Sequence, residues 1–165
     1  MVMSIAHHWQ ERSVKWAKPD NLHVTLRFLG DISLERSKSL GRVLDQIACE
    51  ESPFELALDS VGAFPTVHRP RILWISLSCV DTGLHLLQNR VERATCDLGW
   101  EPEIKSYKPH LTLGRVRNKA VPLSQDWIKP VPKKQFSVKE ILLMESVLTS
   151  AGAEYNVLQR SSLLS

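Results

Sequence analysis

From Leu22 to Phe28 apolar and polar residues alternate: Leu22, Val24, Leu26 and Phe28 on one side, His23, Thr25 and Arg27 on the other. A period of two predicts a half-buried strand. Gly30 and Asp31 break the pattern. From Ser33 to about Glu50, Leu40, Val43, Leu44 and Ile47 recur at the spacing of an amphipathic helix. Ser33 suits its N-cap, and Gly41 weakens it slightly. After Pro53, Phe54, Leu56 and Leu58 predict a second strand. Two prolines between Phe64 and Arg71 predict a loop. Ile72 to Leu77 predicts a third, central strand. A second helix is expected from Thr82 to Leu98, with Leu84, Leu87, Val91, Ala94 and Leu98 on one face and Gly99 as its C-terminal cap. Pro109 precedes a fourth strand, His110 to Val116. Val121 to Lys134 carries three prolines and reads as a surface connection. Phe136 to Leu148 reads as one long strand and Tyr155 to Ser161 as the last. Several connections are short enough for hairpins. The predicted class is α+β with largely antiparallel sheets, not a doubly wound parallel sheet.

One tetrapeptide repeats. His23-Val24-Thr25-Leu26 returns as His110-Leu111-Thr112-Leu113, each copy soon after a Lys-Pro pair, Lys18-Pro19 and Lys108-Pro109. The repeat predicts two related lobes around a shared cleft, with one motif in each half. On a strand, residues i and i+2 share a face, so each His and Thr would point together. Two imidazoles, which titrate near ~6.5 in isolation, can divide proton transfer between a neutral base and a charged acid. Threonine hydroxyls can donate to phosphate oxygens. Arg115 could add a guanidinium, although strict alternation puts it on the face opposite His110 unless a bulge intervenes near Gly114. Arg27 shares the face of His23 and competes for that role.

A single His-x-Thr on a strand is ordinary solvated surface. Two copies with matching apolar neighbours in a short chain are not. A metal site built from the two histidines lacks a nearby carboxylate to complete it. His7, His8, His68 and His85 read as exposed or structural residues. The five tryptophans read mostly as packing, with Phe64 or Trp74 a minor candidate for stacking on a nucleobase.

Composition changes this picture little. The 165 residues suffice for one domain with a sizeable core, and 43% hydrophobic with 24% charged residues is globular. A net charge of +3 permits an anionic ligand without demanding one. Three cysteines with no Cys-x-x-Cys pair argue against a disulfide framework or a thiolate zinc site. No apolar run approaches the ~20 residues of a membrane span, and the N-terminus lacks signal-peptide character. The expectation is a cytoplasmic protein with no membrane association.

These residues resemble the 2H phosphoesterase superfamily, and most of all its RNA 2′,3′-cyclic phosphodiesterases, once called 2′-5′ RNA ligases. Asn21 to Gly30 resembles the first family block and Lys108 to Arg115 the second. Gly62-Ala63-Phe64-Pro65 with Pro70 to Trp74 resembles a middle block, and Ser146 to Leu148 with Gly152 to Leu158 a C-terminal one. The resemblance spans roughly residues 16 to 165. It implies one bilobal domain over 1–165, with two mostly antiparallel sheets flanked by helices around a central cleft. It implies hydrolysis of ribose 2′,3′-cyclic phosphate at RNA or nucleotide ends to a 2′-phosphate, with reversible 2′-5′ ligation as a family capability. His23 would be the acid and His110 the base, while Thr25, Thr112 and Arg115 would hold the phosphate. No metal or other cofactor is implied, and the oligomeric state is not set, a monomer being compatible. Family members open with an apolar strand and a helix that Met1 to Ser13 does not match. One missing or truncated strand, and an exposed sheet edge, are therefore expected. Two other readings fit the residues: an RNA-end-binding module without turnover, or a phosphodiesterase for another cyclic or 2′-5′-linked nucleotide.

Overall fold

A computed structural model describes residues 14–79, 81–117, 131–132, 134–150 and 152–164. Met1 to Ser13 and most of the proline-rich 121–134 connection, with His7, His8, Trp9 and Trp127, lie outside the described residues. In chain order the elements are β1 (Val14–Trp16), a 3-10 turn (Pro19–Asn21), α1 (Leu34–Ala48), β2 (Phe54–Thr66), β3 (Arg69–Cys79), α2 (Gly83–Asp97), β4 (His110–Val116), β5 (Gln135–Val138), β6 (Glu140–Thr149) and β7 (Gly152–Ser162). Five strands form one sheet in the order β1-β4-β3-β2-β5, and β6 and β7 form a second. The α+β class and the antiparallel pairing of β4 with both β1 and β3 match expectation.

The chain divides into two compact units. Among the described residues the first draws on those within 1–24, 57–78 and 108–134, the second on those within 25–56, 79–107 and 135–165. His23 and His110 both belong to the first unit, and both helices to the second. The two histidines, one from each half of the sequence, thus fall in one compact unit. The physical reason is a backbone bridge between Val24 and Leu111, which joins the two motif segments directly.

In the first unit Leu58, Val61, Ala63, Leu73, Ile75, Leu77 and Leu113 form the core on one face of the sheet. β3 is central, between β4 and β2, as its apolar run predicts. Residues 64–71 are not a loop. β2 continues to Thr66, β3 starts at Arg69, and only Val67 and His68 turn. Pro65, which follows a cis peptide bond, and Pro70 flank that turn, where a missing ladder N–H costs little.

In the second unit α1 packs on α2 and against β6 and β7. Leu40, Leu44 and Ile47 of α1 and Leu84, Leu87 and Val91 of α2 are buried, the faces that the helical periodicity marks. The Ser33 side chain accepts from Arg36 N at 3.3 Å, and Gly99 takes φ +89° just past α2. Gly41 has a packing reason inside its helix. A β-carbon there would stand 2.1 Å from Gln159 Oε1, and the Gln159 amide donates to the Gly41 carbonyl at 2.8 Å. The expected long strand Phe136 to Leu148 is two strands, broken at Lys139, with β5 and β6 in different sheets. Among the described residues no helix is long and apolar enough to cross a membrane.

Leu22 to Phe28 departs most from expectation. It forms no strand, and Val24 makes its single bridge. β1 already occupies Gly114 to Val116 along the same edge of β4, which leaves little ladder for a second segment. Phe28, expected in the core, is 77% exposed.

Candidate active site

The site is built on the first unit. The Val24–Leu111 bridge is antiparallel, so His23 aligns with Thr112 across it. A short 3-10 turn separates this contact from β1, whose Ala17 N still donates to Leu113 O at 2.8 Å. The chain thus meets one edge of β4 twice, first through β1 and then through Val24. Thr25 follows the bridge and is exposed, at the point where the chain passes into the second unit. The two motifs are brought together here by a bridge and not by two full strands.

Both histidines are anchored alike. His23 Nδ1 lies 2.7 Å from the Asn21 carbonyl, and His110 Nδ1 lies 2.6 Å from the Lys108 carbonyl. A carbonyl only accepts, so each Nδ1 carries the proton and donates it. Nε2 of each ring is then the nitrogen that can accept a proton when the ring is neutral and give one when it is charged. The anchors sit two residues before each histidine, in the segments that the Lys-Pro pairs introduce.

Aromatic rings hold His110 from the sheet side. Its ring centroid is 5.2 Å from Phe64, edge to face, and 6.1 Å from Trp74, while Phe64 and Trp74 pack at 5.1 Å. Ser76 pairs with His110 in the ladder. The Ser76 hydroxyl donates to Asp59 Oδ2 at 3.1 Å and lies 2.7 Å from the Ser60 hydroxyl.

Register decides where Arg115 belongs. On β3, Leu73 pairs with Gly114 but Trp74 pairs with Thr112, so Leu113 is an extra residue, a β-bulge. Leu113 and Gly114 both turn inward and are buried. Past the bulge the alternation is inverted. Arg115 pairs with Ile72, and cross-strand partners share a face, so Arg115 joins the face of Trp74, Thr112 and His110. Gly114 allows this geometry because β1 crosses close above it. A β-carbon at Gly114 would meet the Lys15 carbonyl at 2.8 Å.

Arg27 does not compete for the site. Its side chain is 6% exposed and gives Nη1 to Glu92 at 2.7 and 2.9 Å, with Nη2 donating to the Glu101 carbonyl, all within the second unit. His68 and His85 are exposed. Trp100 is a packing residue whose indole N–H donates to Leu29 O at 3.0 Å under the Arg36 guanidinium. Among the described residues no three His, Cys, Asp or Glu side chains are grouped to hold a metal ion. Sequence reasoning missed the ring packing on His110, although Gly62, Phe64 and Trp74 at alternating positions were its signal.

The family model of LigT-like phosphoesterases matches residues 1–74 and 77–155. An RNA 2′,3′-cyclic phosphodiesterase of Aquifex aeolicus is 33% identical over 149 residues, covering 88% of this chain and 79% of that protein. Its namesake in Archaeoglobus fulgidus is 34% identical over 88% of this chain and 82% of its own. Among solved structures, TT0787 of Thermus thermophilus superposes with TM-score 0.84 at 26% identity, covering 98% of this chain and 91% of that one. The Escherichia coli LigT complex with 3′-AMP superposes with TM-score 0.79 at 26% identity, with the same coverage, 98% and 91%.

Proposed function

The chain belongs to the LigT-like phosphoesterase family, and from that premise we propose that it hydrolyses 2′,3′-cyclic phosphate ends of RNA to 2′-phosphates. The observation that carries the reading is the matched pair of imidazoles, each tied through Nδ1 to a carbonyl two residues back and each left with Nε2 for chemistry. His110 Nε2 takes a proton from water as the water oxygen attacks phosphorus. The P–O3′ bond breaks, and His23 Nε2–H gives its proton to the departing O3′. The products are a 2′-phosphomonoester and a free 3′ hydroxyl.

Thr112, aligned with His23, donates its hydroxyl to a non-bridging oxygen, and Thr25 does the same by its place in the matching motif. Arg115 supports the charge that develops on the phosphate, for which its place on the Thr112 face speaks. Both proton transfers fall to side chains of this chain, so a metal-bound water has no assigned step. With an incoming 5′ hydroxyl in place of water, the same groups would join a 3′-terminal 2′,3′-cyclic phosphate to it through a 2′-5′ link, His110 taking the hydroxyl proton and His23 giving one to O3′. Free thiols at Cys49, Cys79 and Cys96 fit a reducing, cytoplasmic setting.

The test is incubation with an oligonucleotide ending in a 2′,3′-cyclic phosphate, in the presence of a chelator, followed by product identification. A terminal 2′-phosphate is expected. A 3′-phosphate, or no conversion by folded protein, overturns the reading.

A further inference from the structure

Lys15 pairs with Arg115 across the β1–β4 ladder, so two cations stand abreast on one face of the sheet. Arg117 follows two residues on and is exposed. Like charges placed opposite each other repel, and a bound anion would offset that repulsion. No protein anion does so among the described residues. Arg27, Arg90 and Arg160 each pair with a glutamate, whereas no described carboxylate forms an ion pair with Lys15, Arg115 or Arg117. The arrangement is also held firmly. β1 lies so close over Gly114 that a side chain there would strike the Lys15 carbonyl and the Trp16 α-carbon.

The face is the one that carries Thr112 and His110. Thr112 pairs with Trp74 and Arg115 with Ile72, two residues apart on β3. That separation is about 7 Å along the strand. It is on the scale of one nucleotide step along a backbone-tracking groove, where successive phosphates meet successive cations.

We propose that Lys15, beside Arg115, binds the internucleotide phosphate one step inward from the reacting cyclic phosphate, and that the substrate is therefore an oligonucleotide rather than a mononucleotide. Arg115 and Lys15 stand side by side at the inward end of that step. This rests on the cyclic-phosphate reading and adds a specificity residue to it. Lys15 makes no bond to the reacting atoms. Its contribution is to binding, and it weakens as salt screens the phosphate.

The test compares adenosine 2′,3′-cyclic phosphate with a trinucleotide ending in the same group, on the full chain. Wild type is expected to show kcat/KM at least tenfold higher on the trinucleotide at low salt, with the advantage shrinking as salt is added. Lys15→Ala should reduce that ratio severalfold through KM, Lys15→Glu should reduce it further, and Lys15→Arg should restore it. An equal loss on both substrates, or no wild-type preference, overturns the inference. Turnover of neither substrate overturns the proposed function instead. Equilibrium binding of a trinucleotide ending in a 3′-phosphate then reads Lys15 separately: weaker binding by Lys15→Ala supports the inference, and unchanged binding overturns it.

Discussion

The indole of Trp74 occupies the space where a β-carbon on Gly62 would stand, with Cη2 and Cζ2 each 2.3 Å from that position. Trp74 in turn packs on Phe64, and both rings lie against His110. A glycine two residues before Phe64 thus sets how deep the aromatic group sits, and through it how His110 is held.

Gly62→Ala should therefore act on the site at a distance. The added methyl forces Trp74 off the sheet, with a loss of about 1–3 kcal/mol in stability, the usual range for overpacking. Turnover should fall about tenfold in protein that remains folded, because the ring next to His110 has moved, an order of magnitude in keeping with misplaced groups. Thermal melts with steady-state rates check both. Adding Trp74→Leu to Gly62→Ala should recover part of the lost stability. An alanine variant with unchanged melting and rate would show that the contact does not position His110.

Arg27 tests a different kind of role. It is nearly buried and joined to Glu92. Arg27→Ala strands the Glu92 carboxylate, and removing one partner of a buried pair costs about 3 kcal/mol or more. Glu92 keeps 21% of its side-chain exposure, which puts the loss at the lower end. The folded fraction should retain kcat/KM within a few-fold. The double change Arg27→Met with Glu92→Gln should recover stability, since neither charge is then left alone. A variant that melts like wild type but has lost its rate would return Arg27 to the phosphate site.

How much of this was legible beforehand follows from the range of the forces involved. The helices were, because Leu40, Leu44 and Ile47, or Leu84, Leu87 and Val91, mark a buried face from local periodicity alone. The strand at Ile72 was legible for the same reason. Leu22 to Phe28 carries an equally clean alternation, yet alternation supplies a propensity and not a pairing partner, and β1 already holds Gly114 to Val116 along that edge of β4. The motif pair was legible as a repeat. That both histidines fall in one unit was not, since that depends on Val24 meeting Leu111 far along the chain. Gly114 signalled that a bulge was possible, but the bulge at Leu113 that turns Arg115 to the His110 face is a property of register with β3. Lys15 carried no motif. Its position gains meaning only from the residue opposite it.

Replacement of either histidine should stop turnover and spare the fold. His23 and His110 are half-buried, and each Nδ1 bonds a carbonyl of its own segment. His23→Ala and His110→Ala should each lower kcat by ~10²–10⁴, the usual yield of general acid or base catalysis. His110→Ala should also lose up to about 1 kcal/mol of stability with its contacts to Phe64 and Trp74. Near-wild-type turnover by either variant would sink the two-histidine mechanism.

The pH profile tests whether the two rings act as acid and base. The same Nδ1 anchor makes them interchangeable in form, so their roles must come from charge: His110 neutral to accept a proton, His23 charged to give one. At low pH His110 gains a proton and water has no base. At high pH His23 loses its proton and O3′ departs without an acid. The rate should therefore fall on both sides of a maximum, and the two limbs belong to the pair rather than to either ring. A chelator should leave the whole profile unchanged. A profile with one limb would mean that one ring does no proton transfer. Activity lost to chelator and restored by a divalent ion would mean that the base is a metal-bound water, with the histidines as its ligands.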